Sequence, residues 1–242
     1  MATVVAPDAA LRASRFFRSS IGAKFAMALT GLGLVGFVFM HMVGNLQIFL
    51  GPEAINRYAA FLKGLGELLW VARLGLLAMV AVHVASAVRL VKLNREARPV
   101  AYQFSGSVQL SYASRTMPMS GVIILAFLVY HLLHFTVGST HPEYFALHDE
   151  WGRHDVYSMV VLSFQSWTLV GFYVLAQALL CMHLSHGVSS LFQSLGINFP
   201  AANSVIRGLG PAVAWTLFVG NVSIPLACAL GFVLPAVGAH GS

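Results

Sequence analysis

Charged residues are scarce in this sequence. Asp, Glu, Lys and Arg make up 9% of the 242 residues, and 58% of the residues are hydrophobic, whereas an ordinary soluble domain carries about 25% charged residues. The hydrophobic residues gather in five long stretches, each long enough to cross a bilayer as a helix. The sequence therefore predicts an all-α integral membrane protein, a single five-transmembrane-helix bundle without a sizeable soluble domain.

Cysteine is also scarce. Cys181 and Cys228 both lie in apolar stretches, and neither belongs to a CxxC or CxxCH motif. This pattern argues against a structural disulfide, a covalently attached c-type haem and a cysteine-bound iron–sulfur cluster. The chain also lacks the glycine-rich fingerprint of a flavin-binding Rossmann domain. No Asp or Glu falls in the core of a predicted span, which disfavours a carboxylate proton relay.

The predicted spans, numbered I to V, cover approximately residues 21–50, 69–93, 119–137, 158–191 and 205–233. Gly51-Pro52 ends span I, a polar connection leads to span II, and Pro225 is expected to kink span V. Residues 1–20 carry arginines spaced by three and predict an amphipathic segment on the membrane surface. We reject a signal peptide, because the apolar run that follows is too long for one.

The basic residues lie mainly in short loops beside the apolar stretches. The net charge of +6 is therefore interpreted as a topology signal and not as a nucleic-acid-binding surface. With five spans, a cytoplasmic N-terminus places most of the fourteen lysines and arginines on the inner side. The positive-inside rule thus predicts that the N-terminus is cytoplasmic.

Histidines are unusually numerous, ten against eight acidic residues. Each of the first four spans contains one near mid-membrane, and such a histidine is a functional-site hypothesis because it is costly without a partner. A helical rise of 1.5 Å per residue puts His41 and His131 about 21 and 18 Å from the inner surface. The same rise puts His83 and His183 at about 14 and 12 Å. The depths therefore predict an outer pair, His41 with His131, and an inner pair, His83 with His183.

Pairs of neutral imidazoles at two levels suit two haem irons. Two axial imidazoles fill both open positions of the iron, and such a centre transfers electrons. A zinc or copper site is disfavoured because it needs clustered ligands, and these histidines occupy two levels. Two other readings stay open: histidines that only hydrogen-bond neighbouring helices, and a histidine-bearing transporter without haem.

Two further histidines, His134 and His186, lie one turn beyond proposed ligands and nearer the helix ends. We interpret them as propionate-side or interfacial groups, although an exchange of either with its neighbour stays open. The remaining candidates lie in the loop of residues 139–157, which combines three histidines with four acidic residues. These three, His141, His148 and His154, are interpreted as solvated groups, with a loop metal or proton-handling site as the alternative.

Four segments together resemble a known family. They are GFVFMHMVGNLQIF around His41, AVHVASAVRLVK around His83, SRTMPMSGVIILAFLVYHLLHF around His131 and MHLSHGVSSLFQSLGI around His183. Over essentially the whole chain they resemble the dihaem cytochrome b membrane anchor of succinate:quinone oxidoreductases and the corresponding fumarate reductase subunits.

The resemblance also bears on the choice of ligands. In the family the span III ligand lies ten residues beyond a glycine, which Gly121 and His131 match and His134 does not. The span IV ligand is followed by glycines at +4 and +13, which His183 matches. The family pairs spans I with III and II with IV. Some relatives carry a glutamate just before the span IV ligand; residues 178–182 contain none, which puts that proton path in doubt.

The resemblance implies a bacterial cytoplasmic-membrane subunit that holds two haem b groups. It implies a flavoprotein and an iron–sulfur subunit as partners at the inner face, and a membrane quinone, menaquinone in particular, as electron acceptor. The dicarboxylate site would lie on the partners. Haem-propionate or docking contacts are proposed for Lys24, Arg89 and Arg115, with plain topology signals as the alternative. A quinol:fumarate reductase and another dihaem cytochrome b anchor, of hydrogenase or formate dehydrogenase type, stay as alternatives.

A quinone site needs an apolar slot with a few converging polar groups. We place the candidates on the outer side: Gln47, Glu53, Glu67, Tyr130 and His134. Helix packing alone is the competing explanation for each of them.

Overall fold

The computed structural model describes residues 19–97, 112–197 and 203–236, and the side chains of residues 112–115 and 203–204 lie outside this description. The predicted amphipathic segment falls on residues 1–20 and so lies almost entirely outside the described residues. The side chain of Arg115 lies outside them as well.

Eight α-helices make up the described structure. They are α1 (Ser20–Asn45), α2 (Pro52–Gly64), α3 (Glu67–Glu96), α4 (Tyr112–Leu132), α5 (Pro142–Phe145), α6 (Val156–Ser163), α7 (Trp167–Ser194) and α8 (Asn203–Ala229). Five of these, α1, α3, α4, α7 and α8, are long and apolar enough to cross a membrane. The described residues contain no β-strand, only an isolated bridge between His148 and His154. The predicted all-α bundle of a multi-pass membrane protein is confirmed.

The first membrane helix is bounded by local signals. The Ser19 hydroxyl accepts a hydrogen bond from the Gly22 amide at 3.0 Å and so caps the start of α1. A 3-10 turn, Leu46–Leu50, continues α1 to Gly51, whose φ of +98° is a conformation that glycine adopts freely. Pro52 then opens α2, where a missing N–H costs nothing. The polar connection predicted after span I is thus largely helical.

The fourth predicted span is divided. The continuous helix expected over 158–191 is wrong in its first turns, because α6 ends at Ser163 and α7 begins at Trp167. Asp155 caps α6 by accepting a hydrogen bond from the Ser158 amide. Nearly all of α6 is buried inside the protein. It is therefore part of a cap over the end of the bundle that the predicted topology puts outside, here called the outer cap (α2, α5, α6 and the loops between them), and the membrane helix is α7.

The third membrane helix ends in a wider turn. The residues Leu133–Val137 form a π-helical turn after α4, and Gly138 closes it with φ of +77°. A π-turn shifts the side chains that follow it relative to a regular α-helix. It carries His134, which is 1% exposed, into the protein interior.

The membrane helices pack as two hairpins and a fifth helix. One hairpin is formed by α1 and α3, which pack chiefly on each other, and the other by α4 and α7, because α4 packs chiefly on α7. Between the hairpins, α1 contacts α7, whereas α3 barely touches α4. Helix α8 packs along α7. Of the residues in an 18-residue apolar stretch of α3, 6% are buried inside the protein, whereas 39% are buried in the corresponding stretch of α8. The fifth helix is therefore the most enclosed, and the two hairpins meet mainly through α1 and α7.

A polar cluster joins the outer loops. The side chain of Asn56 on α2 is 1% exposed; it donates to Asp155 Oδ1 at 2.9 Å and accepts from the Tyr157 amide at 3.0 Å. Because buried polar groups are stable only when they are hydrogen-bonded, this residue needs both partners. The cluster fixes α2 against α6 and so covers the outer end of the bundle.

Candidate functional site

The outer pair of histidines comes from helices α1 and α4. The ring centroids of His41 and His131 lie 5.9 Å apart, with the ring planes at 88°. The rings of Phe37 and Phe127 flank them, at 5.4 Å from His41 and 5.8 Å from His131. The buried Nδ1 of His131 has no hydrogen-bond partner in the described part of the chain. The structure thus brings the sequence-predicted outer pair together in a largely apolar environment.

The inner pair comes from helices α3 and α7. His83 lies against Gly31 of α1, and His183 lies against Gly121 of α4. These glycines lie ten residues along the helix from His41 and His131, so both rings lie at one level of the bundle. Each ring is held by a hydroxyl of the other helix in its own hairpin. Thr30 Oγ1 on α1 lies 3.2 Å from His83 Nδ1, and Ser120 Oγ on α4 lies 3.2 Å from His183 Nδ1. Both pairs therefore cross from one hairpin to the other, one at each level.

His134 has a different environment from His131. Its Nδ1 lies 2.9 Å from the Tyr173 hydroxyl and its Nε2 lies 3.1 Å from the Ser163 hydroxyl. Its ring stacks on Phe135, with centroids 3.9 Å apart. Both nitrogens are occupied, so His134 links the π-turn to α6 and α7 and is not available as a metal ligand.

The five quinone-site candidates do not converge on one point. Tyr130 and His134 are neighbours, with ring centroids 5.6 Å apart. Glu53 pairs instead with Arg153. Within the described residues, Gln47 and Glu67 make no side-chain hydrogen bond or ion pair with the others; Gln47 lies in the 3-10 turn and Glu67 in the first turn of α3. The quinone site stays a prediction.

The proposed basic contacts are only partly described. Lys24 is exposed near the start of α1, and Arg89 is partly buried seven residues before the end of α3. The side chain of Arg115 lies outside the described residues. Their role toward haem propionates or partner subunits stays a prediction.

The outer loop is held by an arginine between two carboxylates. Arg153 binds Glu53 and lies 2.7 Å from Asp149 Oδ2. The hydrogen bond from Arg153 lowers the pKa of the exposed Glu53 carboxyl below its ordinary value of 4.5. Burial alone would raise the pKa of the Asp149 carboxyl, but its hydrogen bonds with Arg153 lower it overall.

Two of the loop histidines, His148 and His154, line a shallow cavity of about 350 Å³ together with Lys63. The ring centroids of His148 and His154 are 6.5 Å apart. Burial lowers the pKa of the His154 imidazole, and nearby Lys63 and His148 lower it further. No group of three or more His, Cys, Asp or Glu side chains gathers as a metal site in the ranges 19–97, 112–197 and 203–236. Within these ranges His148 and His154 therefore lie near each other without a third His, Cys, Asp or Glu side chain that would complete a metal site.

Sequence reasoning missed three residues of this site. The hydroxyls of Thr30 and Ser120 hold the inner histidines, and the Tyr173 hydroxyl holds His134. The sequence does contain a signal for the first two. Thr30 and Ser120 each lie eleven residues before an outer histidine, and each is followed by a glycine. Nothing comparable marks Tyr173.

Comparison of the chain with protein-family models, with curated proteins and with solved structures finds no match.

Proposed function

We propose that the chain is a dihaem cytochrome b membrane anchor of a succinate:quinone oxidoreductase, in which His41 with His131 and His83 with His183 would hold two haem b groups. The observation that carries the proposal is the arrangement of these four histidines, one on each of four membrane helices, with His41 and His131 in ring contact and His83 and His183 together at a second level.

The spacing of the outer pair fits a shared metal ion. Metal–imidazole bonds of about 2.0–2.1 Å put the ring centroids of two axial histidines about 6 Å apart, and those of His41 and His131 are 5.9 Å apart. A buried Nδ1 without a partner on His131 is unusual for a histidine whose only role is packing. A haem needs only two protein ligands, because the porphyrin supplies the rest.

The haem groups would supply one-electron redox chemistry within the membrane. The chain itself would orient the imidazoles and place the rings of Phe127, Phe135 and Tyr173 around His131, an apolar environment that influences the redox potential. The partly buried Arg89 lies at the inner end of α3, where a cation can neutralise a propionate or a partner's acidic surface.

The partners and the location complete the proposal. A flavoprotein and an iron–sulfur subunit would dock at the cytoplasmic face of a bacterial inner membrane, and the N-terminus would lie on that side. The acceptor would be a membrane quinone, menaquinone in particular, bound toward the outer side. Among the candidates there, Gln47 and Glu67 have side-chain polar groups that no described residue engages, so they are the first to test for quinone contacts.

The test is a haem count on the purified protein. We expect a reduced-minus-oxidised spectrum of b-type haem and a pyridine haemochrome count of two haems per chain. Replacement of His41, His83, His131 or His183 by alanine should each remove one haem or both. The matched control is His148→Ala in the outer loop, which should keep both.

Three outcomes decide between the readings. A colourless wild-type protein would overturn the proposal and favour histidines that only pack helices or serve transport. Two haems in a complex that co-purifies with a flavoprotein active on succinate or fumarate would support the anchor assignment. Two haems with a partner lacking flavin would support another dihaem anchor instead.

A further inference from the structure

We infer that Thr30 and Ser120 are positioning residues for the inner histidine pair. Each hydroxyl oxygen accepts a hydrogen bond from the Nδ1–H of its histidine, which leaves Nε2 as the unprotonated nitrogen. The inference rests on the proposed function, because Nε2 would then be the nitrogen that binds the inner haem iron.

The direction of the first hydrogen bond follows from proton counting. A threonine hydroxyl has one proton and two lone pairs. Thr30 Oγ1 lies 2.7 Å from the Ala26 carbonyl oxygen and 3.2 Å from that of Met27, and a carbonyl can only accept. The proton of Thr30 therefore points to the backbone, and the contact of 3.2 Å with His83 requires the Nδ1 of that ring to donate.

The second hydroxyl follows the same logic. The buried Ser120 Oγ donates to the Met117 carbonyl oxygen at 3.1 Å. Its lone pairs remain for His183, whose Nδ1 lies at 3.2 Å and must carry the proton. Both inner histidines thus have the same tautomer, and the ring orientation of each is fixed by a neighbouring helix.

A glycine follows each hydroxyl and admits the ring. A Cβ atom at Gly31 would lie 3.4 Å from His83 Cε1, and a Cβ at Gly121 would lie 3.7 Å from His183 Cε1. Each ring therefore lies directly against the backbone of the helix that binds it. Ten residues beyond each glycine comes an outer histidine, His41 or His131. Helices α1 and α4 are thus equivalent: each orients an inner histidine and carries an outer one.

The outer histidines have no such hydroxyl partner at their ring nitrogens within the described residues. In the described part of the chain the His131 Nδ1 has no partner, and the His41 ring makes ring contacts only. Donation from Nδ1–H to an acceptor makes an imidazole a stronger electron donor to a metal at its other nitrogen. A stronger donor favours ferric over ferrous iron, so removal of either hydroxyl should raise the reduction potential of the inner haem alone.

The experiment is a redox titration of both haems in the purified complex, with electron paramagnetic resonance of the ferric state. The variants are Thr30→Val and Ser120→Ala, and the hydroxyl-retaining controls are Thr30→Ser and Ser120→Thr. A matched control is Thr216→Val, because Thr216 makes the same bond to its own helix, at 2.9 Å to the Ala212 carbonyl, without a histidine partner.

We expect Thr30→Val and Ser120→Ala to raise the midpoint potential and change the ferric signal of the same haem, and the three controls to leave both haems as in the wild type. Loss of that one haem in the first two variants, with retention in the controls, would support the inference equally. Two haems with unchanged potentials, or shifts of different haems in the two variants, would overturn this inference alone. A wild-type protein without haem would overturn the proposed function and the inference with it.

Discussion

The hydroxyl of Tyr173 donates a hydrogen bond to Nδ1 of His134 across 2.9 Å, which ties the π-turn after α4 to helix α7. The direction follows from Ser163, whose hydroxyl proton goes to the Met159 carbonyl at 2.7 Å, so that its oxygen accepts from His134 Nε2–H. Both nitrogens of His134 are then committed inside the protein. His131, three residues earlier, has a buried Nδ1 without a partner.

This difference in hydrogen bonding allows the roles of His131 and His134 to be distinguished by mutation. His134→Ala should keep two haems but lower the free energy of unfolding by about 1–3 kcal/mol, because it leaves the Tyr173 hydroxyl buried without its acceptor. His131→Ala should lose haem. Haem content and thermal unfolding in detergent measure the two effects. An unchanged haem content in His131→Ala, with loss in His134→Ala, would exchange the two assignments.

The turn after α4 depends on a glycine. Gly138 has φ of +77°, and a Cβ there would collide with the Phe145 ring. Gly138→Ala should therefore destabilise the protein by about 1–3 kcal/mol from overpacking, in addition to the strain of the left-handed backbone. Gly196→Ala is the matched control, because Gly196 has the same φ and no heavy atom within 4 Å of the added Cβ. Equal losses of melting temperature in the two variants would mean that the Phe145 contact contributes nothing.

The contact between α7 and α8 depends on a second glycine. A Cβ at Gly210 would collide with the Ser185 carbonyl oxygen and the Ser189 hydroxyl. Because backbone cannot move aside as a flexible side chain does, Gly210→Ala should cost about 1–3 kcal/mol or more. Gly208→Ala in the same helix meets nothing within 4 Å and should stabilise the helix by about 0.4–1 kcal/mol. Thermal unfolding of both variants gives the comparison, and equal melting temperatures would contradict close packing at Gly210.

The sequence predicted the bundle because a membrane helix requires a long apolar run with few charges, and five such runs are visible. It could not predict the break between α6 and α7. The run from Val156 to Met182 contains no charge, and a helix buried in a protein cap needs the same apolar residues as one that faces lipid. Only Asp155, as the cap of α6, marks the start of that shorter helix.

The polar contacts of the site were harder to predict than its histidines. A histidine in an apolar helix stands out, whereas serine and threonine occur in membrane helices with their hydroxyls bound to their own backbone. Thr30 and Ser120 make such bonds as well, so their second contact depends on how the helices pack. Asn56 is a similar case, because its partner Asp155 is 99 residues away in sequence.

The outer cap should weaken in acid through Arg153. Its contacts lower the pKa of Glu53 and of Asp149 below their ordinary values of 4.5 and 3.8. A carboxyl whose pKa is lowered in the folded state stabilises it at a pH above the ordinary value, and this stabilisation is lost as the pH falls through the lowered one. We therefore expect the melting temperature to fall below about pH 4.5.

A pair of variants isolates this ion-pair cluster. Arg153→Gln should lower the melting temperature at neutral pH and flatten its fall in acid, because the lowering of both carboxyl pKa values by the Arg153 guanidinium is then lost. Glu96→Gln breaks the exposed pair Lys92–Glu96, whose side chains are 77% and 58% exposed, and should change neither, because such surface pairs contribute little. Added salt should weaken the effect of Arg153 as well, since Glu53 is half exposed. Parallel curves for the wild type and Arg153→Gln through the acid range would show that other groups set the acid stability.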